Sequence, residues 1–302
     1  MKTLSVSTAW NFKEGTKTRD NLEEIQRLGL NTIELGYTLT DQQVREILPL
    51  LGELGMQVSS IHNFCPVPSD GSSSRHPSNY YRLSSIDEEE RKKAVEWTQK
   101  TIDLSRHVGS PVVIIHAGTI EIKNDPIKDI QKLFKEGKSK TTDFANLIKG
   151  MLKDRQQAKP HYMQALIKSL EEVCRYAQEK DISIGLETRY YPTEMPNFEE
   201  IGFLLNRFAD KGMFYWHDVG HAEVTEKFGI RPHLDFLKTY GKHMIGMHIH
   251  GMEGLRDHKA PFTGDLDFEK VRPYLHAKLI KVIEARYATF DELKIAVGKL
   301  SV

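Results

Sequence analysis

Cysteine is almost missing from this chain: 302 residues contain two, Cys65 and Cys174, far apart in sequence. That excludes a disulfide framework and a cysteine-based zinc knuckle, and it suits a reducing cytoplasm. An excess of charge of either sign is missing too, with 42 Lys and Arg against 42 Asp and Glu and a pI near 7.2. No global basic field draws such a protein to nucleic acid, which disfavours a nucleic-acid partner. No apolar run is long enough to span a bilayer, and the opening "MKTLSVSTAW" lacks the apolar core of a signal peptide. A cytoplasmic protein without membrane contact is the expectation.

Regular alternation is what the chain does have. Eight short apolar runs read as strands, at 3–8, 32–37, 56–62, 111–117, 182–187, 213–218, 244–250 and 279–285. Amphipathic stretches lie between them. "RDNLEEIQRLG" and "TDQQVREILPLLGELG" both end at glycine, as helices commonly do. The stretch 85–109 opens with Ser85 or Asp87 as a cap and has acids in its first turn. Residues 161–180, 197–210 and 267–277 complete the expected helices. Strict β-then-α order predicts a parallel sheet with helices outside, and eight such units predict one closed (β/α)₈ barrel over residues 1–302. Two segments interrupt the pattern: a long loop at 66–86 and a charged, mostly helical insertion at about 120–160. Both leave from strand C-terminal ends, so each is as much a candidate lid as a solvated excursion.

The metal-competent residues fall at those same strand ends. Strand three ends at His62, strand four at His116 and strand five at Glu187. Strand six, "MFYWHD", ends at Asp218 with His221 just beyond; strand seven ends with His248 and His250, and strand eight with Glu284. In a barrel these ends converge around one axis. Side-chain alternation turns Glu187, His248 and His250 inward with Ser183 and Gly185, and Ile182, Ile184, Leu186, Met247 and Ile249 outward. Glu284 shares a face with Val282 and Ile280, and His217, alternating with Asp218, points away. Glu187, Asp218 and Glu284 at one mouth would repel one another unless a cation sat between them. Mixed carboxylate and imidazole donors favour manganese, zinc, cobalt or iron over calcium. His250 is also a candidate for capping the strand or touching substrate. His76, His107, His161, His233, His243 and His276 read as ordinary surface or helix histidines.

In order and spacing, "HNF", "HAGT", "GLET", "HDVGH", "GMHIHG", "DHKAPFTGDLDF" and "VIEAR" resemble the xylose isomerase-like (β/α)₈ barrels over nearly the whole chain. That superfamily includes sugar and sugar-phosphate isomerases and epimerases and the endonuclease IV type of AP endonuclease. In the first branch the resemblance implies one divalent metal (manganese, zinc, cobalt, magnesium or iron) held by Glu187, Asp218, His248 and Glu284. It further implies that Glu187 and Glu284 act as acid and base through an enediolate, with His221 on the substrate. In the second branch it implies a multinuclear zinc phosphodiesterase with His62, His116, His221 and His258 as additional ligands. There the pattern Asp-x-His calls for an acid two places before His258; this chain has Arg256, with Asp257 one place late. The expectation is therefore a metal-dependent sugar or sugar-phosphate isomerase or epimerase, with the phosphodiesterase as the alternative. Arg189 and Glu194 are candidates for substrate hydroxyls or a phosphate, and Trp10 for stacking on a sugar face. Nothing in the sequence marks an oligomer interface.

Overall fold

The computed structural model describes residues 4–71 and 75–301. Thr3 of the first expected strand and residues 72–74 of the 66–86 loop lie outside the described residues. Eight parallel strands close into a barrel: β1 (Leu4–Ser7), β2 (Thr32–Leu35), β3 (Gln57–His62), β4 (Val112–Ile115), β5 (Ser183–Glu187), β6 (Met213–Asp218), β7 (Met244–Ile249) and β8 (Ile280–Ile283). Each pairs with its sequence neighbours, and β8 closes onto β1 with Ser5 opposite Val282. The expected (β/α)₈ architecture is present, with most strands shorter than their apolar runs and the sixth matching its run. His116, His250 and Glu284 accordingly sit one residue past their strand ends.

The core has two parts because each strand has two faces. Ile184, Leu186, Met247 and Ile249 join the large apolar layer under the helices. Val112, Ile114, Trp216 and Val282 form a small separate cluster inside the barrel. Trp216, fully buried, fits only because its neighbours are glycines: a Cβ on Gly246 would lie 2.0 Å from its ring and one on Gly185 3.2 Å away. This indole fills the barrel interior two residues before Asp218.

The helices follow the sequence closely at the start. Helix α1 (Thr18–Arg27) and α2 (Asp41–Glu53) flank β2, and Thr40 and Gln43 make a reciprocal capping box on α2. Asp87 caps α3 (Glu88–Val108), accepting from the amides of Glu89 and Glu90. The 120–160 segment contains α4 (Ile127–Lys135) and then the first half of α5 (Thr142–Glu179), a single helix of 38 residues. The helix expected at 161–180 is its second half, so the insertion is not set off from the barrel. Helix α6 (Phe198–Phe208) follows β5, α7 (Val219–Lys227) and α8 (His233–Tyr240) follow β6, and α9 (Phe290–Leu300) ends the chain. The helix expected at 267–277 is absent: two short 3-10 turns, Phe268–Lys270 and Arg272–Tyr274, stand there. Pro273 lacks the donor a continuing helix needs and restricts Arg272 before it.

Candidate metal centre and active-site cavity

Glu187, Asp218, His248 and Glu284 meet at the C-terminal mouth of the barrel, with one donor atom from each inside a 4.8 Å cluster. All four are buried. His248 Nδ1 lies 2.6 Å from Glu187 Oε1, 3.3 Å from Glu284 Oε2 and 3.6 Å from Asp218 Oδ2. Two further groups share members with this one: His62, His116 and Glu187, and Asp218, His221 and His258. The sequence-predicted donors are thus brought together in three overlapping sets.

Local bonds aim these donors. His62 donates from Nδ1 to its neighbour's carbonyl, Asn63 O at 2.9 Å, which leaves Nε2 facing Glu187 Oε2 at 3.7 Å. His221 donates from Nδ1 to Thr188 O at 2.8 Å and turns Nε2 toward Asp257 Oδ2, 3.8 Å away. Asp218 caps α7 by accepting the His221 amide on Oδ1 at 2.8 Å. That carboxylate is the bend from strand to helix, and Gly220 is needed beside it because a Cβ there would meet His250 Cε1 at 2.3 Å. Burial alone would raise the Glu187 carboxyl, but His116, His248 and His62 hold it well below its ordinary pKa. Asp218 is lowered in the same way against its burial, by His221, His250 and His248. His248 moves upward despite its burial because Glu34 and Glu284 face it.

Glu34, which the sequence reading passed over, completes this floor. It is fully buried on β2, and its Oε2 accepts from His248 Nε2 at 3.1 Å and from Ser60 Oγ at 2.8 Å. The signal was present, since "TIEL" sets an acid on the inward face between Ile33 and Leu35. The donor chemistry fits a divalent cation: four buried carboxylates converge on few positive charges, with imidazole nitrogens interleaved.

A cavity of about 920 Å³ opens above this floor, lined by His62, His116, Glu187, His221, His258 and Glu284 among others. Arg189 and Glu194 line it as well, but they hold each other: Arg189 donates to Glu187 Oε2 and Glu194 Oε1, both at 2.8 Å. His258 has φ of +57°, in a ribbon formed by Gly251–Glu253 and Arg256–Lys259, and Nδ1 lies 2.8 Å from Asp257 Oδ1. Asp257 thereby stands beside His221 and His258 although its place in sequence is shifted. Tyr37, Asn79 and Arg286 line the cavity without having been singled out in the sequence. The 66–86 loop contributes His76, Ser78 and Asn79, and α4 contributes Gln131, Phe134 and Lys135, so both irregular segments wall the cavity.

Four assignments change with the structure. Trp10 does not reach the cavity; its indole donates to Ala288 O at 2.9 Å and packs against Phe290. His250 is fully buried behind the floor, 3.1 Å from Asp218 Oδ1 and stacked on His258 at 4.5 Å, and it does not line the cavity. His76 is a cavity wall, 5.1 Å from the Tyr37 ring, and burial with Arg286 nearby lowers its pKa to about 4. His233 is a fully buried link in a polar chain. Thr188 Oγ1, Tyr215 OH and His217 Nδ1 are spaced by 2.7 Å each, His217 Nε2 and His233 Nε2 by 3.0 Å, and His233 Nδ1 and Glu223 Oε2 by 3.0 Å. With one proton on each imidazole and a carboxylate at the end, every donor must point toward Glu223. His217 thus turns away from the mouth, as alternation requires, and anchors β6 to α7 and α8.

The two cysteines are buried and free, and no helix among the described residues is long and apolar enough to cross a membrane. Several known proteins share this architecture. The 3-keto-D-glucoside 4-epimerase of E. coli superposes with a TM-score of 0.67 at 13% identity, covering 100% of this chain and 99% of that one. The D-allulose 3-epimerase of Methylomonas sp., solved with D-allulose, superposes with a TM-score of 0.66 at 15% identity, covering 99% and 95%. An uncharacterized protein of Sinorhizobium fredii is 22% identical over 272 residues, 84% of this chain and 75% of that one. The xylose isomerase-like TIM barrel family model matches residues 22–292, and the chain belongs to that family.

Proposed function

We propose that this protein is a divalent-metal-dependent sugar isomerase or epimerase that moves a proton on the carbon beside a carbonyl. The observation that carries the reading is the convergence of Glu187, Asp218, His248 and Glu284 beneath a cavity of small-molecule size. These four would hold the ion; Asp218 Oδ1 is engaged as a helix cap, and its Oδ2 is the oxygen that faces His248 Nδ1, at 3.6 Å. A bound divalent ion would polarise the substrate carbonyl and stabilise negative charge on its oxygen. Glu187 and Glu284 both line the cavity, from strands β5 and β8 on different sides of the mouth. Each presents a carboxylate oxygen that accepts or returns the proton on its own side of a bound sugar. His221 donates from Nδ1 to Thr188 O, so its Nε2 faces the cavity as an acceptor for a substrate hydroxyl, and Tyr190 at 5.8 Å packs beside its ring. The epimerases named above support this reading.

The test is turnover of a panel of ketoses and sugar phosphates by metal-loaded protein. Glu187→Gln and Glu284→Gln are each expected to abolish turnover while the fold persists. Near-normal turnover in either variant refutes the acid/base assignment.

One observation favours a second reading. The sets His62–His116–Glu187 and Asp218–His221–His258 flank the first and share its carboxylates, which is the donor supply for a multinuclear zinc phosphodiesterase. Elemental mass spectrometry separates the two. About one equivalent of metal per chain supports the isomerase; two to three of zinc, with EDTA-sensitive cleavage of abasic duplex DNA, supports the phosphodiesterase.

A further inference from the structure

Arginine in this protein is almost always paired. Among the described residues, the arginines with no carboxylate within 4.0 Å are Arg175, Arg256 and Arg286. Arg175 lies on α5; the other two line the active-site cavity. Lys135 on α4 lines it as well and makes no ion pair among the described residues. Three unpaired cations therefore surround the outer part of a cavity whose floor is carboxylate.

Arg286 is the best placed of the three. It follows Glu284 by two residues, so the strand end that supplies a floor carboxylate also supplies a rim guanidinium. Its Cζ lies 5.9 Å from the Tyr37 ring centroid, and Tyr37 in turn packs against His62 at 4.7 Å. The Arg286 side chain is half-buried, and its Nε is sealed from solvent with no acceptor. Arg256 stands nearby in the wall, its Cζ 4.4 Å over the Tyr287 ring.

We propose that the outer part of the cavity is a subsite for an anionic group on the substrate, a phosphate or a carboxylate. Arg286 is its main ligand and Arg256 its second. The guanidinium fork matches either oxyanion by paired N–H···O bonds. The inference rests on the sugar reading above and narrows it to sugars that carry a negative charge remote from the reacting carbon. Arg189, the other cavity arginine, is committed to Glu187 and Glu194 and is not free for this task.

The test uses manganese-loaded full-length protein and calorimetric titration with inorganic phosphate, D-fructose 6-phosphate, D-glucuronate and D-fructose. The anionic sugars are expected to bind more tightly than D-fructose, and the better of the two identifies the group. Arg286→Gln is expected to weaken binding of inorganic phosphate and of the preferred sugar by about tenfold or more, with Arg286→Lys intermediate. Equal affinity of wild type and Arg286→Gln for phosphate overturns the subsite, as does D-fructose binding as well as both anionic sugars. Phosphate binding that depends on Arg286 in a protein that turns over no sugar keeps the subsite and removes the isomerase reading instead.

Discussion

Glu34→Gln tests the centre from beneath. Glu34 Oε2 accepts the Nε2 proton of His248 at 3.1 Å and the Ser60 hydroxyl at 2.8 Å, in full burial. Carboxylates face both ring nitrogens of His248, Glu34 at Nε2 and Glu187 at Nδ1, the latter at 2.6 Å; by holding the Nε2 proton, Glu34 would leave Nδ1, which faces Glu187, Asp218 and Glu284, as the nitrogen that gives up its proton to a metal. A glutamine keeps the shape but exchanges a carboxylate oxygen for an NH₂. If its oxygen still faces His248, the NH₂ occupies the place of Oε1, which has no hydrogen-bond partner. If it turns round, it offers a donor to a nitrogen that is itself a donor. Either way the imidazole loses the negative charge that raises its basicity. Loss of such an outer carboxylate costs about 10–100-fold in metal affinity, or roughly 1.4–2.7 kcal/mol. The assay is competition of metal-stripped protein against a fluorescent chelator for manganese and for cobalt. Equal affinity of Glu34→Gln and wild type, with binding abolished in Glu187→Gln, refutes the role given to Glu34. Failure of wild type to bind either ion refutes the centre itself.

Two further outcomes follow from the geometry. Gly246→Ala places a Cβ 2.0 Å from the Trp216 ring, far inside van der Waals contact, and is expected to destabilise by about 1–3 kcal/mol or more; chemical denaturation checks this, and failure of Trp216→Phe to recover part of the loss would count against overpacking as its cause. Acid is expected to destabilise the metal-free protein in two stages. Burial first, then His233, keeps His217 well below its ordinary pKa, so only the unfolded chain takes up this proton, and stability falls as pH drops below about 6.5. Glu187 and Asp218, lowered in the folded state, add a second loss below about pH 4. His248, raised when folded, works with opposite sign: its contribution is full in acid and is lost at alkaline pH. Melting temperature followed from pH 8 to pH 3 reads both stages, and a flat profile contradicts them.

The sequence by itself determined the barrel and the donors at its mouth. Strand and helix periods are local, and a strand's last inward residue is fixed by counting in twos, so Glu187, Asp218 and His248 were legible without coordinates. Glycine in "HDVGH" and "SIGLE" was legible as glycine; that Gly220 clears His250 and Gly185 clears Trp216 was not, because the neighbours come from other strands. The tertiary structure alone decided the rest. It placed Trp10 in the core, put His250 behind Asp218, and brought His76 to the cavity from a loop with no period to read. It joined Tyr215, His217, His233 and Glu223 into one chain across three elements. It also separated paired arginines from unpaired ones, since charge pairing depends on which side chains approach within a few ångströms and not on their order along the chain.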